Sequence, residues 1–124
     1  EGVIVLLNTG HGKYWPNPLK YLGTEKKGNE ALKDLHFPGL YPDAAKWLIK
    51  NRKINAIGLD TPSIDYGQSI FFETHRILCS NNIPAFENVT NLDQLPANGA
   101  FVIALPMKIE GGSGAPLRLI AIIP

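Results

Sequence analysis

The sequence predicts an α/β fold, a mixed β-sheet with flanking helices built as one domain over residues 1–124. Apolar runs of strand length recur along the chain. Two segments between them carry helical apolar spacing, and the last two runs are joined by a glycine-rich turn that suits antiparallel pairing.

Val3-Ile4-Val5-Leu6-Leu7 is the first strand, a continuous apolar run closed by the turn residues Asn8-Thr9-Gly10-His11-Gly12. Residues 13–38 read as a long loop, because Pro16 and Pro18 forbid regular pairing and Gly23, Gly28 and Glu25-Lys26-Lys27 favour exposure; one short helix is expected near Glu30–Leu35. Pro42 suits the first position of a helix, with Ala44, Ala45, Leu48 and Ile49 as its apolar stripe through about Asn51. Strands follow at Ile54–Leu59, Ile83–Glu87, Phe101–Leu105 and Leu117–Ile123, with a helix over the His75 segment and a turn at Gly111–Pro116.

Composition excludes several partners. The 124 residues are 44% hydrophobic and 19% charged with a net charge of +1, an ordinary globular balance without the basic field that nucleic acid requires. No apolar stretch approaches the roughly 20 residues of a membrane span, and no charged start followed by an apolar stretch marks a signal peptide in these residues. The single cysteine, Cys79, fits a reducing compartment, and a cytoplasmic location is expected. The first residue is Glu1 rather than methionine, which reads as a processed or partial chain. Thr9-Gly10-His11-Gly12-Lys13 follows a strand but lacks the spacing, the hydroxyl and the helix of a phosphate loop.

Chemistry centres on two residues where hydrophobic ones are expected. In Gln68–Cys79 the helical spacing puts Phe71, His75 and Leu78 on one face, so His75 points inward. The two-residue period of Ile83–Glu87 aligns Glu87 with Ala85 and Ile83. A buried carboxylate must be paired, protonated or bound to a cation, so the two together suggest a metal or proton-transfer site. The alternative is a core histidine bonded to backbone and a glutamate at a strand end in water.

Gly58-Leu59-Asp60-Thr61-Pro62-Ser63-Ile64-Asp65, then His75, Glu87, Ala104-Leu105-Pro106-Met107-Lys108-Ile109 and Gly114-Ala115-Pro116-Leu117-Arg118 form an ordered set. Together with Thr9-Gly10 and Phe37-Pro38-Gly39-Leu40, this set resembles the carboxy-terminal half of the Putative cyclase family, which includes bacterial-type kynurenine formamidase, isatin hydrolase and trans-dienelactone hydrolase. The resemblance implies a swivelling β/β/α fold and a metal-dependent hydrolase of amide, cyclic amide or lactone bonds, such as N-formylkynurenine. It implies that His75 and Glu87 are ligands of a divalent metal, zinc or manganese, which suits imidazole and carboxylate donors.

The family hallmark, His-x-Gly-Thr-His-x-Asp-x-Pro-x-His, belongs to the amino-terminal half and has no match here, and no residue is assigned as catalytic. His11, which stands where many members carry tryptophan, is a candidate for substrate contact, with Tyr14, Trp15, Phe37 and Ser63. The aromatics serve equally well as core, and Asp60, Ser63 and Asp65 equally well as turn residues. Arg118 is expected either to pair across an interface or to lie in solvent.

Expected partners are a small-molecule substrate and either the missing amino-terminal half or a second copy, giving a homo-oligomer, because the strands are apolar on both faces. Neither nucleic acid nor membrane is expected. The rival to the enzyme is a catalytically inactive module of the same fold that binds or scaffolds.

Overall fold

Strand β2 (Ala56–Leu59) organises the first ninety residues, and all four of its residues are buried. The computed structural model describes residues 2–124. Two parallel neighbours flank β2, with β1 (Ile4–Leu7) in the register Ile4↔Ala56 to Leu7↔Leu59 and β3 (Ala85–Phe86) paired as Ile57↔Ala85 and Gly58↔Phe86. Parallel strands buried on both faces need continuous apolar sequence, which is what Ala56–Leu59 supplies.

Val5, Leu7, Ile57, Leu59 and Ala85 share one face of this sheet, and the helices pack there. Helix α2 (Pro42–Arg52) starts with proline at its first turn and ends at Lys53, whose left-handed φ of 46° stops it. Its Ala45 is fully buried beside Ile54, Ile64 and Leu78, with Leu48 and Ile49 packed against them. Helix α3 (Glu73–Ser80) contributes Leu78 and Ile77.

The long segment before α2 is more structured than expected. Pro18–Tyr21 forms the short helix α1, with Asn17 accepting a hydrogen bond from Lys20 N at its start. The expected helix near Glu30–Leu35 is instead two single 3-10 turns, Gly28–Glu30 and Leu32–Asp34.

Helix α3 begins five residues later than the apolar spacing predicts. Phe72 adopts a left-handed φ of 48° and offers no side-chain cap, so residues 68–72 stay outside the helix and Phe71 is exposed. Its buried positions are Thr74 and Leu78, an i, i+4 pair, in place of the Phe71, His75, Leu78 face. His75 is therefore only half-buried.

The chain divides into two compact units at Leu92. In the second, Asp93–Pro124, β4 (Phe101–Pro106) and β5 (Leu117–Ile122) pair antiparallel from Phe101↔Ile122 to Pro106↔Leu117. Parallel and antiparallel pairing are both present as expected, distributed over two sheets where the sequence suggested one mixed sheet. Phe101, Leu105, Ile120 and Ile122 on one face of the β4–β5 ribbon are exposed.

Gly39 has no room for a side chain, since a Cβ there would lie 2.3 Å from Tyr66 N and 2.4 Å from the Asp65 carbonyl carbon. Backbone cannot yield as a flexible side chain does, so Gly39→Ala is expected to cost about 3 kcal/mol or more. Gly114→Ala, in open space, should change stability by less than about 0.5 kcal/mol. Urea denaturation of the two variants checks the contrast.

Candidate functional site

Three parallel strands deliver their carboxyl ends to the same side of the sheet, the edge at which open α/β sheets gather ligands. Thr9 to Gly12 follow β1, Asp60 to Asp65 follow β2, and Glu87 and Asn88 follow β3.

Asp65 is the organising group. The first turn of α3 has N–H groups without helical partners, and Asp65 accepts two of them, Thr74 N on Oδ1 at 3.0 Å and His75 N on Oδ2 at 3.1 Å. The carboxylate thus caps a helix that begins eight residues further on. Oδ2 also meets His75 Nδ1 at 2.6 Å. Burial pushes the Asp65 carboxyl up, but the bonds from His75 and the α3 backbone outweigh it and hold Asp65 below the ordinary carboxylate range. An ionised Asp65 fixes the Nδ1–H form of the ring.

The other ring nitrogen faces Glu87. His75 Nε2 lies 3.1 Å from Glu87 Oε1, which also accepts a hydrogen bond from Ile64 N at 2.9 Å. With Nδ1–H given to Asp65, the singly protonated ring presents a lone pair at Nε2 to an oxygen that carries lone pairs. The contact is attractive only with a proton or a metal cation between them. Two donor atoms at this separation suit one ion with bonds of about 2.0–2.2 Å, and Asp65 behind the imidazole is the carboxylate partner that metal-binding histidines usually have. Among the described residues no group of three or more His, Cys, Asp or Glu side chains is placed to hold an ion. This chain offers a pair of donors.

A second polar network lies beside the first. Asp60 accepts Thr9 N at 2.9 Å, Thr9 Oγ1 at 2.7 Å and Gly12 N at 3.0 Å, tying the end of β1 to that of β2. Gly12 permits this approach, because a Cβ there would lie 3.1 Å from Asp60 Cβ. The Tyr21 hydroxyl sits 3.0 Å from the Asp60 carbonyl oxygen and 2.9 Å from Asn88 Oδ1.

The other candidates divide. His11 donates from Nε2 to the Tyr21 carbonyl at 2.8 Å and meets Tyr14 edge-on and Tyr21 at a tilt, while Trp15 packs edge-on to Tyr21 and is otherwise exposed. Phe37 is buried, so it is a core residue and not a wall of an open site. Ser63 makes local turn bonds, accepting Asp65 N at Oγ and Thr61 Oγ1 at its carbonyl. Arg118 is exposed on β5 opposite Leu105. A cleft of about 1090 Å³ is lined by Asp65 and by residues of α2 and α3, and none of the expected substrate-contacting residues lines it. The specific roles of Asp65 and Tyr21 are absent from the sequence reading. No sequence signal points to Asp65, because the helix start at Phe72 that leaves α3 without a capping side chain of its own appears only in the structure.

The model of the family described as Putative cyclase matches residues 1–66, over half of the chain. The chain belongs to that family. Isatin hydrolase of Roseibium aggregatum is 34% identical over 127 aligned residues that take in 99% of this chain and 46% of the relative. Kynurenine formamidase of Bordetella petrii is 32% identical over 68% of this chain and 39% of its own length. Isatin hydrolase A from Ralstonia solanacearum superposes with a TM-score of 0.86 at 35% identity, over 99% of this chain and 46% of the other. The fold is thus the cyclase-like fold, and the chain spans less than half the length of these relatives.

Asp60 supplies a pH test. Burial raises its carboxyl, the bonds from Thr9 and Gly12 outweigh that, and the net shift is downward. A lowered folded value stabilises the fold above the unfolded value of about 3.9, and that contribution is lost as pH falls through the folded value. Asp60→Asn should cost about 2 kcal/mol at pH 7, by the scale of hydrogen bonds to a charged group. The gap to the parent should narrow below about pH 4, as read from urea midpoints across pH.

Proposed function

We infer that this chain forms part of a metal-dependent hydrolase cleaving the C–N bond of an amide or cyclic amide, with His75 and Glu87 as two of the ligands of a zinc or manganese ion. The observation that carries this reading is the 3.1 Å approach of His75 Nε2 to Glu87 Oε1 while Asp65 holds Nδ1. The names of the relatives support the reaction class. The chemistry such an ion supplies when bound is activation of water and polarisation of the scissile carbonyl.

The chain's own residues have separable parts in this. Asp65 keeps the imidazole in the tautomer and orientation that direct Nε2 outward. Ile64 N–H holds Glu87 Oε1 in place. The exposed rings of Trp15 and Tyr14, with His11 beside them, offer a face for a planar substrate. A third ligand and a proton-transfer group come from outside these residues, in the half where the family carries its histidine motif. A cytoplasmic setting suits the unpaired Cys79.

The apolar ribbon β4–β5 points to a protein partner. A two-stranded ribbon is marginal by itself, and Phe101, Leu105, Ile120 and Ile122 lie open on one face. Either the amino-terminal half or a second copy covers it. Light scattering should therefore report a mass above the 13.6 kDa of one chain at high concentration, and Ile122→Lys should reduce it. A strictly monomeric parent would contradict this.

Two experiments test the site. In zinc competition titrations His75→Ala should abolish binding and Asp65→Asn should weaken it by about 10–100-fold; binding indifferent to both would contradict the metal pair. The 124-residue chain by itself should hydrolyse N-formylkynurenine or a cyclic amide no faster than a chelated control. Activity should appear when it is combined with an amino-terminal half carrying the histidine motif, and be lost again in His75→Ala. Full activity in that combined variant would leave the chain as a binding module.

A further inference from the structure

Tyr21 is 3% exposed, at the end of α1, and its burial has a polar purpose. Its hydroxyl carries one proton and faces two acceptors, the Asp60 carbonyl oxygen at 3.0 Å and Asn88 Oδ1 at 2.9 Å. The proton is shared between the end of β2 and the residue immediately after Glu87. Asn88 has a left-handed φ of 56°, a conformation that costs most residues about 1–2 kcal/mol and that asparagine tolerates better. Its N–H donates to Thr61 O at 2.9 Å. Val89 N donates to Leu59 O at 3.0 Å, so the turn that ends β3 is held at three points, two backbone bonds and one side-chain bond to Tyr21.

We propose that Tyr21 is a positioning residue for Glu87, fixing the Asn88 turn so that the Glu87 carboxylate faces His75. The proposal deepens the reading of His75 and Glu87 as a metal pair and rests on it. Glu87 sits between the end of β3 and Asn88, with Oε1 2.9 Å from Ile64 N and 3.1 Å from His75 Nε2, so a change in the Asn88 turn moves the backbone that carries it. No other side chain among the described residues holds Asn88 Oδ1. Burial, with the charge of Asp60 beside it, pushes the Tyr21 phenol up to about 12, so it remains a proton donor throughout the neutral range. The same residue accepts His11 Nε2 at its carbonyl. One side chain and its own backbone thus place both the His11 loop and the Glu87 turn relative to β2.

The test uses the whole 124-residue chain and two readouts. The first needs no metal and follows the Ile64 amide proton by nuclear magnetic resonance, since that proton is bonded to Glu87 Oε1. In Tyr21→Phe, and in Asn88→Gly, which keeps the left-handed turn accessible while removing Oδ1, the Ile64 resonance should move toward its position in Glu87→Ala. A control outside the cluster that holds Ile64, the exposed α2 variant Lys50→Ala, should leave it unmoved. An Ile64 resonance that stays in place in both Tyr21→Phe and Asn88→Gly overturns the proposal.

The second readout is zinc affinity, expected to fall about tenfold in Tyr21→Phe and to fall no further when Tyr21→Phe is added to Glu87→Ala. An equal loss in the Glu87→Ala background overturns the proposal, because Tyr21 would then act on the fold and not through Glu87. A parent chain that binds no zinc overturns the metal-pair reading instead, and the Ile64 resonance then decides the positioning role.

Discussion

Asp65 holds three hydrogen atoms at once, two from the backbone of α3 and one from the His75 ring. Each depends on the others. Without the two backbone bonds α3 starts with unsatisfied donors after a residue that cannot cap it. Without the ring bond His75 has no fixed tautomer, and its approach to Glu87 loses direction. Burial alone would push the proton back onto Asp65; the surrounding donors keep it ionised. Gly39, pressed against the Asp65–Tyr66 backbone, keeps the carboxylate's own main chain where these bonds require it.

Much of the fold is legible in the residues. Val3–Leu7 and Ala56–Leu59 are apolar without alternation and become the half-buried β1 and the fully buried β2 of a parallel sheet. Pro42 marks the start of α2 to the residue. The late start of α3 is not legible, because apolar spacing runs on through Ile70 and Phe71 while the event that sets the start is a hydrogen bond from a carboxylate outside the helix. Spacing describes faces, and it carries no information about which distant group satisfies a helix end. The separation into two sheets also escapes a one-dimensional reading, since the apolar character of β4 and β5 is the same whether they join β3 or only each other.

The site divides along the same line. His75 and Glu87 stand out as polar residues in apolar patterns, and the chain brings them to 3.1 Å. Asp60 and Asp65 lie in a turn-forming sequence and so look local, yet Asp60 bonds to Thr9 and Gly12, and Asp65 to Thr74 and His75. Ser63, between them, is the one whose bonds are those of the turn. Residue type within a turn does not separate these cases. What separates them is burial of the carboxylates beneath neighbouring segments, which exists only once β1, β2 and α3 are assembled.

The remote cap on α3 also constrains the order of assembly. A helix of eight residues is too short to persist unaided, and its missing cap arrives only when the stretch leaving β2 has settled. Its first turn can therefore be stable only after β2 is paired, although its sequence is local. Transient opening of the β2 exit would release the start of α3 and the His75 ring in a single cooperative event, so amide exchange at Thr74 and His75 would share one opening rate with the ring's loss of orientation.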